Sequence, residues 1–263
     1  MGLLSGVMME DYTFTVLNLR RRDDRRQRFL DHHANLGYKD KIHIHYGHDG
    51  AHYDDVNVMR DEMIQAYPQL ECFREIGFGN LGCVWSMTEL FDRFIKGTPN
   101  TEFIHFCQDD ILFQLAAQEY DRFLHKFIEF DPDVSCLKLY WHSMDNNRPE
   151  TFKIDRYDFT RGWWGFGDCG ILINRDAAKL LLNYVFTYGC FLEHIYAYFT
   201  SYEPIKGFYS YCGPGTQYTE DIKYGVTFCK PIDDYYNQDR PRQNTRTKDK
   251  SKMKPYDYYQ EGQ

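Results

Sequence analysis

The chain has no Cys-x-x-Cys pair, no apolar run approaching the ~20 residues that span a bilayer, and no Walker-type glycine-lysine loop. It also lacks an excess of positive charge: Lys+Arg number 31 against 39 Asp+Glu, a net charge of -8. That balance argues against a general nucleic-acid or anionic-membrane surface, so a phosphate-bearing ligand would have to be met by local arginines or a metal. Eight cysteines would suffice for four disulfides, but Cys107, Cys136, Cys169 and Cys229 all fall inside apolar, strand-like runs. Reduced, buried thiols are therefore expected. Met1 to Met9 lack the basic start and apolar stretch of a secretory signal. The expectation is a cytoplasmic protein without a membrane span, in the host cytoplasm if the source is viral.

What is present is ample material for a core. At 263 residues, 43% apolar and 27% charged, the chain has the composition of an ordinary folded domain. Its 22 Tyr and 20 Phe suit stacking on a sugar or base, and suit half-buried packing equally well.

Strand-like and helix-like stretches alternate. Tyr12 to Leu19 reads as a strand running into Arg20-Arg21-Arg22, followed by a helix carrying Phe29, Leu30 and Leu36 and stopped by Gly37. The arginine cluster is either a solvated helix start or a set of guanidiniums facing a diphosphate or base. Lys41 to Tyr46 alternates as a strand, with His43 and His45 on one face as structural or solvent-facing residues, and Asp49-Gly50 marks a turn. Helices follow around Val56 to Tyr67 and from the glycine block Gly77–Gly82 to about Ile95, the latter with Val84, Met87, Leu90, Phe91 and Phe94 on one face. Ala116 to Phe130 is a helix and Asp133 to Tyr140 a strand; Asp145 to Arg161 reads as an irregular polar loop. Cys169 to Ile173 is a short strand, Asn174 to Tyr188 a helix, Phe191 to Tyr198 a further helical piece, and Gly207 to Tyr218 a Gly/Tyr/Pro loop. Gly225 to Cys229 is the last strand. The pattern predicts an α/β fold in a single domain over residues 10–235, with residues 236–263 as a polar, basic tail.

The centre of the pattern is Phe103-Ile104-His105-Phe106-Cys107-Gln108-Asp109-Asp110, an apolar strand that ends in two adjacent carboxylates. Such a pair is costly unless a metal, an arginine or solvent compensates it. The carboxyl ends of strands are where α/β proteins bind ligands. A solvated acidic turn is the plain alternative.

In order along the chain stand Val16-Leu17-Asn18-Leu19 with Arg22, Asp24 and Arg25, then Asp49-Gly50, Gly79-Asn80-Leu81-Gly82-Cys83-Val84-Trp85-Ser86, Gln108-Asp109-Asp110, and Gly170-Ile171-Leu172-Ile173-Asn174-Arg175-Asp176-Ala177-Ala178-Lys179-Leu180-Leu181. This series resembles glycosyltransferase family 25, the bacterial lipooligosaccharide and animal procollagen galactosyltransferases. The resemblance spans roughly Val16 to Pro231. It implies a GT-A fold, a Rossmann-like, mixed but mainly parallel sheet flanked by helices. It also implies inverting transfer from a nucleotide sugar, a UDP-sugar by preference, to a glycan acceptor, with Mn²⁺ or Mg²⁺. Two positions depart from the family's pattern: Gln108 where an acid is usual, and Met87 where His is common.

Carried onto this chain, the resemblance makes Asp110 the main metal ligand, with Gln108 beside it. Asn18, Leu19, Arg20, Arg22, Asp49, Gly79, Gln108 and Asp109 surround the donor. Glu193, Asp221 and Asp168 compete, in that order, as the base for the acceptor hydroxyl; plain carboxylates at helix starts are the alternative for the first two. Trp163, Trp164 and Phe166 sit between glycines and are assigned to the acceptor wall. The rival readings are a sugar- or nucleotide-binding module without catalysis, which Gln108 favours, and another metal-dependent α/β enzyme.

Overall fold

In the computed structural model, residues 11–74, 76–140, 150–164, 169–192, 206–212 and 228–231 are described. The first strand, β1 (Tyr12–Asn18), leads to helix α1 (Asp23–Asn35) and the edge strand β2 (Ile42–Tyr46). Helices α2 (Val56–Ala66) and α3 (Phe78–Ile95) precede the central β3 (Phe103–Gln108) and the short β4 (Ile111–Phe113). Then come α4 (Ala117–Phe130), β5 (Cys136–Lys138), the β6 (Phe152–Ile154) and β7 (Tyr157–Arg161) pair, β8 (Ile171–Asn174), α5 (Arg175–Tyr188), β9 (Phe208–Tyr211) and β10 (Cys229–Pro231).

Eight strands form one sheet in the order β2-β1-β3-β8-β5-β9-β7-β6, and β10 pairs with β4 beside it. β2, β1 and β3 are parallel, and β8 runs against β3 and β5. β9 is parallel to β5, and β7 is antiparallel to β9. Most strands therefore point the same way, as expected of a mixed, mainly parallel sheet. Both faces are covered, which is why β1 and β3 read as nearly continuous apolar runs. On β3, Ile104 and Phe106 join the core under α2, α3 and α5. Phe103 and Cys107 join the core on the opposite face, with Phe29 of α1 and Tyr120, Phe123 and Phe127 of α4.

The helix after β8 forms as its sequence requires: Asn174 caps it by accepting from Ala177 N at 2.9 Å, and Gly189 ends it in the left-handed region (φ 61). Two segments differ from expectation. Residues 152–161, expected to be irregular, form the β6–β7 hairpin. Residues 208–211, assigned to a loop, form β9, which is buried throughout and inserted between β5 and β7. Glycine and proline around the segment point to a loop, whereas its aromatic residues fit a pleated surface once β5 and β7 flank it. All eight cysteines are free thiols, six of them buried. Among the described residues no helix is long and apolar enough to cross a membrane.

Candidate active site

β1, β2 and β3 end at one edge in matched register. Asn18 pairs with Tyr46 across one side of β1, and Leu17 pairs with Gln108 across the other. Asp109 N then donates to Leu17 O at 3.2 Å, so the ladder carries the acidic pair one step past the strand. The turn that follows is buried: Asp109 is 6% exposed and Asp110 9%. A solvated acidic turn is not what the sequence forms.

Three side chains answer this charge. Asn18 Nδ2 donates to Asp109 Oδ2 at 2.6 Å. Arg25, in the first turn of α1, reaches both acids with one nitrogen, Nη1 lying 3.4 Å from Asp109 Oδ1 and 3.1 Å from Asp110 Oδ2. Arg22 grips Asp24 with two donors, at 2.9 and 2.7 Å, and its guanidinium also feels Asp109 and Asp110. Burial, and then the neighbouring Asp110 charge, push Asp109 up to about 6 against the opposing pull of Arg25 and Asn18.

The rest of the edge is basic and aromatic. Arg20 lies over the Tyr46 ring at 4.1 Å from its centroid, and Arg26 donates to the Tyr46 hydroxyl at 3.1 Å. Arg21 pairs with buried Asp49 at 2.5 Å, while the other Asp49 oxygen accepts from Ala51 N at 2.9 Å. Gln108, at the end of β3, is half-buried. Leu19 accepts from Arg22 N at 2.7 Å and shapes the turn into α1. The structure thus gathers Asn18, Leu19, Arg20, Arg22, Asp49, Gln108, Asp109 and Asp110 at one edge. The sequence places Arg21 in the arginine cluster and Arg25 in the family series without an individual role for either, and gives none to Tyr46. Arg25 was detectable as one helical turn beyond Arg22, and Tyr46 as the last residue of a strand parallel to β1.

Other predicted residues fall elsewhere. Gly79 is exposed in the first turn of α3, with no polar contact to the acidic pair among the described residues. Gly77, Gly79 and Gly82 have the G-x-G-x-x-G spacing, but a short 3-10 turn rather than a strand precedes α3, so the context of a dinucleotide fingerprint is missing. Gly82 serves packing instead: a Cβ there would stand 2.6 Å from the His48 carbonyl oxygen. Trp163 and Trp164 are 3% and 4% exposed and belong to the core under α3 and α5. Their glycine neighbours suggested a poor setting for a core cluster; the structure corrects that premise. Trp164 N donates to Ser210 Oγ of β9, whose hydroxyl in turn donates to Gly162 O, each at 2.8 Å, and this anchors the segment inward. The Lys138 ammonium lies 4.8 Å from the Trp163 ring centre. Phe166, Asp168, Glu193 and Asp221, and the tail of residues 236–263, lie outside the described residues.

Among the described residues no group of three or more His, Cys, Asp and Glu side chains is placed to hold a metal ion. The edge does offer two adjacent hard carboxylates within reach of the Arg25 guanidinium. That donor set fits a divalent cation that takes most of its shell from diphosphate oxygens and water.

A sheet of this mixed order, with an acidic pair at the carboxyl end of its central strand, is a GT-A-like fold. The profile of glycosyltransferase family 25 (LPS biosynthesis protein) matches residues 12–196. The chain belongs to that family and is a glycosyltransferase, with a sugar donor and an acceptor as its substrates. No curated protein matches it.

Proposed function

We propose that the protein transfers a sugar from a UDP-sugar to a hydroxyl of a glycan acceptor, with inversion and with Mn²⁺ or Mg²⁺ bound at Asp110. The observation that carries this reading is the buried Asp109–Asp110 pair, held by Asn18 and Arg25 at the carboxyl edge. Asp110, with Gln108 beside it, would hold the cation, which when bound supplies Lewis-acid stabilisation of the departing diphosphate. Asp109 and Asn18 would hold the nucleoside. Among the described residues Asn18 Oδ1 is buried with no hydrogen-bond partner, so it can accept from a ribose hydroxyl. Arg20 and Arg22 line the approach of base and phosphates. The base for the acceptor hydroxyl is assigned among Glu193, Asp221 and Asp168, and the acceptor wall to Phe166.

The test is UDP-sugar turnover with Mn²⁺ present or chelated, comparing wild type with Asp110→Ala. Loss of at least ~100-fold on chelation and in the variant is expected, the usual scale for removing a charge-stabilising contact to a leaving group. Turnover that survives both treatments overturns the metal assignment. Tight UDP binding without turnover would favour the non-catalytic binding module that Gln108 suggests.

A further inference from the structure

We propose that Arg25 is a positioning residue that holds the Asp109–Asp110 pair until a divalent cation takes its place, and that the displaced guanidinium then meets the diphosphate. This inference rests on the donor-site reading above.

The contacts between the guanidinium and the two acids are long: Nη1 lies 3.1 Å from Asp110 Oδ2 and 3.4 Å from Asp109 Oδ1, where a charge-assisted bond normally closes to ~2.7–2.9 Å. The neighbouring arginines are engaged differently. Arg22 has two donors on Asp24, at 2.9 and 2.7 Å, and Arg21 closes on Asp49 at 2.5 Å. Arg20 lies over the Tyr46 ring.

Arg25 also sits where it obstructs a metal. A divalent cation must approach carboxylate oxygens to ~2.0–2.2 Å, and it repels a guanidinium within hydrogen-bond reach of the same oxygens. A cation on either Asp110 oxygen meets the repulsion of this guanidinium, so the two compete for the same carboxylate. Because Arg25 is rooted in the first turn of α1, its displaced head remains at the rim of the site, where its planar donor fork suits phosphate oxygens. The side chain is 18% exposed, against 9% and 12% for the two acids.

The test uses the full chain with Mn²⁺ alone, following free Mn²⁺ by electron paramagnetic resonance, for wild type, Arg25→Gln and Arg25→Lys. Competition predicts that Arg25→Gln binds Mn²⁺ about tenfold more tightly than wild type, an effect opposite in sign to simple damage, with Arg25→Lys in between. It also predicts that UDP binding in saturating Mn²⁺ weakens about tenfold in Arg25→Gln. Equal or weaker Mn²⁺ binding by Arg25→Gln, or no Mn²⁺ binding by either protein, overturns the proposal. Should Arg25→Gln not fold, Arg25→Lys decides: severalfold tighter Mn²⁺ binding supports competition and an unchanged affinity refutes it. Failure of the donor reading would look different, with wild type binding Mn²⁺ but no nucleotide sugar.

Discussion

Asn18 is the last residue of β1, and its amide faces two ways. Its Nδ2 holds Asp109 at 2.6 Å, while its Oδ1 is buried without a partner among the described residues. Replacing it with Ala removes a bond to a buried carboxylate and an acceptor for the ligand. The expected outcome for Asn18→Ala is roughly tenfold weaker UDP binding by calorimetry, consistent with ~1–1.5 kcal/mol for a hydrogen bond of this kind. Binding equal to wild type would remove Asn18 from the donor site. Trp164 poses the opposite case. Its burial makes Trp164→Ala a core truncation, expected to cost about 3–5 kcal/mol in urea unfolding. If Trp164 also forms the acceptor wall, the acceptor KM of folded variant should rise far more than the donor KM.

At the scale of elements, the site depends on how closely α3 approaches the loop after β2. Gly82 lets the helix backbone lie against the His48 carbonyl. The same loop is held by His48 N donating to Ser86 Oγ at 2.8 Å, and it ends at Asp49, the partner of Arg21. A Gly82→Val substitution therefore acts on the donor edge through packing. It should destabilise the protein by about 1–3 kcal/mol, the usual cost of overpacking, and weaken UDP binding without any contact to the nucleotide. A melting temperature equal to that of wild type would show that the loop can retreat freely.

At the scale of the whole molecule, three buried histidines set the response to acid. Burial lowers His33 and His105 to about 3 and His45 to about 4. His33 shows why protonation is resisted: Nδ1 faces the Phe29 carbonyl at 2.8 Å and must donate, so Nε2 is left to accept from Phe113 N at 3.4 Å. His105 lies among Phe14, Phe113 and Tyr120, with neither ring nitrogen partnered among the described residues. In the unfolded chain these rings take up protons near their ordinary 6.5, so below that pH the unfolded state binds more protons and stability falls. Asp109, raised to about 6, works in the opposite sense between about pH 6 and 4. The histidines outnumber it, and His43, which burial also lowers, acts on their side, so stability falls on acidification through that window, by at least ~1 kcal/mol per pH unit. Urea unfolding from pH 7 to pH 4 should show this slope, and His105→Phe should remove about one proton's share. A flat profile would mean that the histidines open to solvent before the fold is lost.

The sequence by itself determined most of the strands and helices up to β5, the acidic end of β3, the helix capped by Asn174 and the family. These follow from patterns a few residues long: alternating or continuous apolarity, capping side chains, and short blocks of fixed composition. The tertiary structure alone decided that β9 completes the sheet between β5 and β7, that the two tryptophans face the core, and that Gly82 serves packing. It alone placed Arg25 on the carboxylates, 84 and 85 residues away along the chain. Each of these depends on what a segment meets across the fold. A Tyr-rich stretch between glycines reads alike as loop or strand, and an arginine in a basic run reads alike as solvated or bound, until the opposing surface is present.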